Sequence, residues 1–190
     1  MEDYGIVIDY LPTGKPTDIK REPITYLVGE RYFTLLEAVA KRNVEIKLYM
    51  RVYIGKDLTQ RKEIERIKGK VEYNQLTGAA KNELKTAVKK IIQTREKDFI
   101  NFINKCGSVT IRQHQLELLP GIGKKHLDEI LKERETKPFE SFEEITKRIP
   151  HLMNPVDIIA ERVIMELSSE QRYYLFTKPP VPPGYGERKY

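Results

Sequence analysis

Leu119-Pro120-Gly121-Ile122-Gly123-Lys124-Lys125 is the stretch on which the reading of this chain turns. It separates two segments with helical patterning, 110–118 and 124–135. Glycines at 121 and 123 stand too close to punctuate separate loops, so they describe one tight hairpin. Gly121 can take positive φ at no steric cost, and Pro120 cannot continue a preceding helix. Gly123 then opens the next helix, and the N–H groups of Ile122, Gly123 and Lys124 are expected to point outward without partners. A helix start with unspent N–H groups and partial positive charge attracts an anion. Lys124 and Lys125 follow at once, and a nucleic-acid phosphate is the natural ligand of such a corner.

The stretch resembles the helix-hairpin-helix motif, whose core is a Gly-hydrophobic-Gly hairpin, here Gly121-Ile122-Gly123. The resemblance implies contact with the sugar-phosphate backbone without reading of sequence. It also implies a monovalent cation held by hairpin carbonyls, which by position would be those of Leu119 and Ile122.

Downstream the punctuation is clear. Thr110 and Gln113 have the spacing of a capping box, as do Ser141 and Glu144. Asn154 followed by Pro155 is a helix start with proline at the first helical position. Helices are expected over 111–118, 124–135, 142–148 and 155–168. Four such helices joined through Pro138 to Ile145 look like the tandem form of the same fold. The second hairpin would be Pro150-His151-Leu152-Met153-Asn154, which lacks both glycines and is expected to be structural. One competent hairpin makes two or three phosphate contacts, and at a slope of about −0.9 per phosphate on duplex this is weak binding. Useful affinity would need a second surface.

The N-terminal part supplies a candidate. Short strands are expected over 4–10, 24–29 and 32–39, with Gly29-Glu30-Arg31 as a hairpin connection and a helix as the competing reading for 35–42. From Ile46 to Ile54 the chain alternates, with Ile46, Leu48, Met50, Val52 and Ile54 on one face and Lys47, Tyr49, Arg51 and Tyr53 on the other. From Ile64 to Tyr73 it alternates again, with Arg66, Lys68 and Lys70 sharing a face. Five strands in this span suggest a small barrel resembling an oligonucleotide-binding fold. Its outward faces mix cations with rings, as a single-stranded nucleic-acid platform requires, at roughly 1–3 kcal/mol per stacked base. Strand exteriors also carry Lys and Arg for solubility, and Tyr has high β propensity.

The expected organisation is α+β: an OB-like β-barrel over 1–75, connecting helices over 76–107, an all-α tandem helix-hairpin-helix domain over 108–175 and a Pro-rich tail over 176–190. Of the connecting helices, the first is capped by Thr77 and the second buries Phe99, Phe102 and Ile103. Lys81, Lys85 and Lys89 lie four apart on the first and read as a solvated face, with nucleic-acid contact as the alternative. In the tail, Pro179, Pro180, Pro182 and Pro183 enforce an extended run ending in Tyr185, Arg188 and Tyr190.

Charge supports a polyanionic partner without requiring one: the formal net charge is +6. It is unevenly placed. Residues 107–175 hold 10 Lys and Arg against 12 Asp and Glu, whereas 41–70 hold 10 against 4. Electrostatic attraction must therefore come from the N-terminal part. The single cysteine, Cys106, excludes a disulfide framework and a Cys-based zinc site. Lying on an apolar stripe, it reads as buried. His114, His126 and His151 form no ligand cluster. No apolar run approaches ~18 residues and no signal-peptide pattern opens the chain, so a soluble cytoplasmic protein without membrane contact is expected. The charged fraction of 33% and the absence of Trp fit a thermophile. No carboxylate grouping suited to Mg²⁺, P-loop, His-Glu-x-x-His or Gly-x-Ser-x-Gly occurs, so neither catalysis nor a cofactor is expected.

Over nearly its full length the chain resembles an archaeal family of unknown function often labelled RNA-binding. The stretches that carry this are Arg51-Val52-Tyr53-Ile54-Gly55, Leu76-Thr77, the run from His114 to Lys125, Lys137-Pro138-Phe139-Glu140-Ser141-Phe142-Glu143, and Leu175-Phe176-Thr177. The resemblance implies a barrel-like first half, a helix-hairpin-helix second half and an association with ribosomal-protein and ribosomal-RNA-modifying genes. Three functions follow as expectations. One is an RNA-binding accessory of translation or ribosome assembly, weakened by substitutions of Tyr49 and Tyr53. Another is a DNA-binding or repair accessory that depends on Gly121 and Gly123. The last is a protein-interaction module, consistent with the acidic balance of the hairpin region, which would bind no nucleic acid.

Overall fold

Three apolar, β-branched runs begin the fold. β1 (Tyr4–Leu11), β2 (Ile24–Gly29) and β3 (Leu35–Ala40) form an antiparallel meander. β2 and β3 are buried along their whole lengths, so continuous apolar runs rather than alternation mark them. The segment 35–42, open between strand and helix in sequence, is strand β3 as far as Ala40. β4 (Arg51–Tyr53) pairs with β1 and β5 (Ile64–Lys70) with β3, giving the order β4-β1-β2-β3-β5 with every pair antiparallel. Among the described residues nothing pairs β4 to β5, so the small barrel expected is a curled, open half-barrel sheet. The structure is a computed structural model and describes residues 2–17 and 20–179.

The long strand expected from Ile46 to Ile54 is a correction. Only its last part is strand. Tyr49 adopts φ 62°, its N–H donates to the Val7 carbonyl at 2.8 Å, and the Met50 N–H turns back to Lys47 at 3.1 Å. Ile46, Met50, Val52 and Ile54 still reach the sheet's core beside Val7, Leu27 and Ile64. Leu48 does not, and is 45% exposed. The apolar spacing was met by a turn placed between two short extended pieces.

Two buried glutamates clamp loops in this unit. Glu2 accepts from the backbone N–H groups of Arg31, Tyr32 and Thr34 at 2.8, 2.9 and 3.2 Å. Glu166 accepts from those of Leu175, Phe176 and Thr177 at 2.7, 3.1 and 2.9 Å, and from the Thr177 hydroxyl at 3.1 Å. The Lys178 ammonium lies 4.0 Å from the centroid of the Tyr32 ring.

The chain falls into two units: the described residues up to Thr77 with those from Met165 onward, and Gly78–Ile164. In the second, α1 (Gly78–Thr94) and α2 (Glu96–Lys105) bury Leu84, Val88, Ile91, Phe99 and Ile103. The Thr77 hydroxyl donates to Asp9 at 2.5 Å. Lys85 and Lys89 on α1 pair with Glu161 and Asp157. Cys106 is buried, and burial pushes its thiol up despite the adjacent Arg134 guanidinium.

The helix expected over 111–118 is a second correction. Ser108–Thr110 (β6) and Gln113–His114 (β7) form a small hairpin, and only Gln115–Leu118 is helical, as a 3₁₀ turn. The Gln115 N–H donates to the Gly107 carbonyl at 2.9 Å and the Thr110 hydroxyl accepts from the Arg112 N–H at 3.3 Å. Local polar side chains thus offer the backbone an alternative to helix. Three helices follow: α3 (Lys124–Thr136), α4 (Phe142–Arg148) and α5 (Pro155–Ser168). The Ser141 hydroxyl caps α4 by accepting from the Glu144 N–H at 3.1 Å. The Asn154 carboxamide caps α5 by accepting from the Val156 N–H at 2.9 Å. The fold is mixed α+β. No described helix is long and apolar enough to cross a membrane. The expected run from Pro180 through Tyr190 lies outside the described residues.

Candidate nucleic-acid interface

The two proline turns of the helical unit share a geometry. In the first, the Ile122 N–H donates to the Leu119 carbonyl at 3.2 Å and Gly121 has φ 81°. In the second, the Leu152 N–H donates to the Ile149 carbonyl at 3.4 Å and His151 has φ 73°. Both turns are anchored by apolar side chains, Leu119 and Ile122 in one and Ile149 and Leu152 in the other, all buried. A Cβ on Gly121 would lie 3.9 Å from the Met153 methyl, so the turns are neighbours. Met153 is 46% exposed beside them.

Ile122 departs from expectation. Its N–H is spent inside the turn and its side chain is in the core, so it cannot donate outward. Gly123 is the N-cap residue of α3, with φ −90° and ψ −178°, and its carbonyl accepts from the Leu127 N–H at 2.9 Å. The N–H groups of Gly123, Lys124 and Lys125 find no acceptor among the described residues. The Gly121 carbonyl lies 3.1 Å from His126 Nδ1. The Leu119 carbonyl, one of the two implied cation ligands, already serves the turn.

His114 orients the approach to this turn. Its Nδ1 accepts from the Leu116 N–H at 3.1 Å, and its own N–H donates to Glu117 at 2.7 Å. Burial and the Arg134 charge hold the imidazole below its ordinary value, against the opposing pull of Glu117. A histidine depressed in the fold contributes stability that is complete above its unfolded pKa of about 6.5 and lost as pH falls below it. His114→Asn keeps a capping acceptor without the titration. Between pH 7 and 5 the melting temperature of the wild type is expected to fall further than that of the variant. Parallel curves would show that the cap does not titrate.

The N-terminal residues expected to form one platform do not share a face. Lys47 is exposed and pairs with Glu45 at 3.2 Å. Tyr49 sits in the turn described above. Arg51 forks onto Glu30 at 2.7 and 3.0 Å, with its guanidinium 3.4 Å from the Tyr4 ring centroid. Tyr53 packs edge-on against the same ring, centroids 5.3 Å apart at 74°. On β5, Arg66 pairs with Glu22, and Lys68 pairs with Glu37 at 2.6 Å. Lys15 also pairs with Glu37. Burial pushes the Glu37 carboxyl up, but the two lysines outweigh it and hold it below the usual carboxylate range. Lys70 is exposed and pairs with none of the described acidic side chains.

Sequence reasoning missed a cleft of about 410 Å³ lined by Tyr10, Pro12, Thr13, Arg21, Pro23, Arg42 and Asn43. Its walls come from the end of β1 with the loop after it and from the residues after β3, which the β2–β3 hairpin separates in sequence, so no local spacing could reveal it. Among the described residues no three His, Cys, Asp or Glu side chains gather as a metal site.

A family model described as protein of unknown function (DUF655) matches residues 1–178. An uncharacterized protein of Methanocaldococcus jannaschii is 46% identical over 179 residues, which is 93% of this chain and 80% of that protein. The crystal structure of an Archaeoglobus fulgidus protein of the same family superimposes with a TM-score of 0.87 at 43% identity, covering 93% of this chain and 100% of that one.

Proposed function

The chain belongs to the family described as protein of unknown function (DUF655), and from that premise we propose that it is a non-catalytic nucleic-acid-binding protein, with RNA ahead of DNA, that seats phosphates at Gly121-Ile122-Gly123 and the start of α3. The observation that carries the reading is Gly123. Its backbone angles are open to any residue, and a Cβ there would meet nothing within 4 Å. Neither conformation nor internal packing asks for glycine. Close approach of an outside anion to the unspent N–H groups of Gly123, Lys124 and Lys125 does, with the helix dipole and two lysine charges in support.

The paired turns support a tandem helix-hairpin-helix reading of the helical unit. His151 and Met153 stand where the first turn has its glycines, and their side chains would hold a phosphate backbone away, so the second turn serves as support. The open five-stranded sheet supports an OB-like reading of the other unit. There Lys70 is exposed and Lys47 is exposed with only Glu45 as its partner, while Arg51, Arg66 and Lys68 are held by carboxylates and contribute mainly positive potential; Tyr49 and Tyr53 supply the rings. Ribosome assembly or translation in the cytoplasm is the setting that the family resemblance suggests.

Fluorescence anisotropy with matched single-stranded RNA, double-stranded RNA and duplex DNA at two salt concentrations tests this, comparing the intact chain with Gly123→Asp. Aspartate is a good N-cap, within a few tenths of a kcal/mol of glycine or better, so the fold should be kept. Its carboxylate would occupy the phosphate position, and RNA affinity should drop at least tenfold. Undiminished binding by a folded variant would remove the hairpin as anchor. A wild-type chain that binds none of the three probes would sink the reading altogether.

A further inference from the structure

We infer that the cleft lined by Arg21 and Arg42 is a nucleotide-phosphate site, taking one phosphate of single-stranded RNA between the two guanidinium groups with its base against Tyr10; this rests on the nucleic-acid reading above and gives it a second contact in the sheet unit. The contrast with several of the other basic side chains there is the starting point. Arg51 is held by Glu30, Arg66 by Glu22, and Lys15 and Lys68 by Glu37. Arg61 is spent on the carbonyls of Ile54 and Gly55, and its own carbonyl takes Lys41. Arg21 and Arg42 are exposed and pair with none of the described carboxylates.

Among the described residues, the carboxylates close by in sequence are already engaged, Glu45 by Lys47 among them. Glu22 takes Arg66, and Asp9 accepts from the Tyr10 N–H and the Thr77 hydroxyl. Two arginines lining one concavity, paired with no carboxylate among the described residues, repel one another. A phosphate removes that repulsion and matches the planar fork of each bidentately.

The walls suit a single nucleotide. Pro12 and Pro23 fix the backbone on the β1–β2 side. Tyr10 is half-buried and presents an aromatic side chain to the cleft. Thr13 and Asn43, the latter at φ 62°, add neutral donors and acceptors. A volume of about 410 Å³ lies within the usual range of small-ligand sites, roughly 300–1,000 Å³. That is the size of one nucleotide, and a base free to lie against Tyr10 is one outside a duplex, which is why single-stranded RNA is the class proposed.

The test uses the full chain and two probes. Uridine 5′-monophosphate is titrated with amide shifts recorded by NMR, and a labelled single-stranded RNA decamer is followed by anisotropy. Shifts are expected at Thr13, Arg21, Arg42 and Asn43, and should vanish in the Arg21→Ala/Arg42→Ala double variant. That variant should bind the decamer at least tenfold more weakly, with a salt slope smaller by about 0.7 for the phosphate lost. Arg21→Lys/Arg42→Lys should recover part of the affinity. Because neither arginine has a described partner, the melting temperature should not move. Gly123→Asp should leave the mononucleotide shifts intact, since it lies in the other unit. Absent shifts together with undiminished decamer binding by the double variant would overturn the cleft while leaving the hairpin standing. Decamer binding lost in the double variant but kept in Gly123→Asp would establish the cleft and remove the hairpin.

Discussion

Glu166→Ala is expected to lower the stability of the intact chain by about 2–4 kcal/mol. The Glu166 carboxylate is buried and accepts three backbone N–H groups and a hydroxyl from Leu175, Phe176 and Thr177. Hydrogen bonds to a charged acceptor contribute about 1.5–3 kcal/mol each when made, and donors left buried without one cost more than a neutral exchange with water. Part of that loss is recovered because the 175–177 segment can move out and hydrate, which is why the sum of the bonds is not the expected cost. Glu166→Gln should fall between wild type and alanine. One of its two polar atoms becomes an N–H₂ group facing N–H donors, whichever way the amide is placed. Denaturant unfolding measures both, and a loss below about 1 kcal/mol for alanine would show that the clamp does not hold the segment.

Gly29→Ala should cost about 2–3 kcal/mol through the other clamp. A Cβ at Gly29 would lie 2.2 Å from Glu2 Cδ and 2.4 Å from both Cγ and Oε1. A glutamate end is ordinarily easy to displace. This one is held by the N–H groups of Arg31, Tyr32 and Thr34, so making room strips three donors of their acceptor. A double-mutant cycle isolates that cause. Once Glu2→Ala has emptied the space, Gly29→Ala should add little, giving a coupling energy of at least 1 kcal/mol. Additive losses would place the damage in the strand backbone.

The parts of the fold legible in sequence are those with local punctuation. Ser141 and the Asn154-Pro155 pair fixed the starts of α4 and α5, because a cap and a proline at the first helical position act on the adjacent turn. Gly121 marked its turn because only the residue itself decides whether φ 81° is easy. Alternation misled at Ile46–Ile54, where the apolar positions reach the core through a turn at Tyr49. Spacing misled again at Thr110 and Gln113, where the capping-box pattern falls on a hairpin whose polar groups bond locally.

The site was legible only in its chemistry. Lys47, Arg51, Arg66 and Lys68 have the residue types of a phosphate-tracking face, but Glu45, Glu30, Glu22 and Glu37 claim them, and most of those partners are distant in sequence. Glu2 and Glu166 gave no signal, because a lone carboxylate has no pattern until the chain brings it donors 29 residues away in one case and 9 in the other. Arg21 and Arg42 were invisible for the same reason.

The sheet unit is interrupted by the helical one, since the chain leaves it at Thr77 and returns at Met165. On a translating ribosome this sets a schedule. All five strands are made before the helical unit begins, and their pairings can form as the chain emerges. Glu166 and the 175–177 segment it clamps come last. At typical elongation of about 5–20 residues per second, the sheet waits on the order of 5–20 s for that piece. The nascent sheet must therefore stay soluble with one clamp made and the other absent, while β4 and β5 still present unpaired edges. The lysines and arginines spread along those two strands guard a half-made protein as much as they serve a finished one.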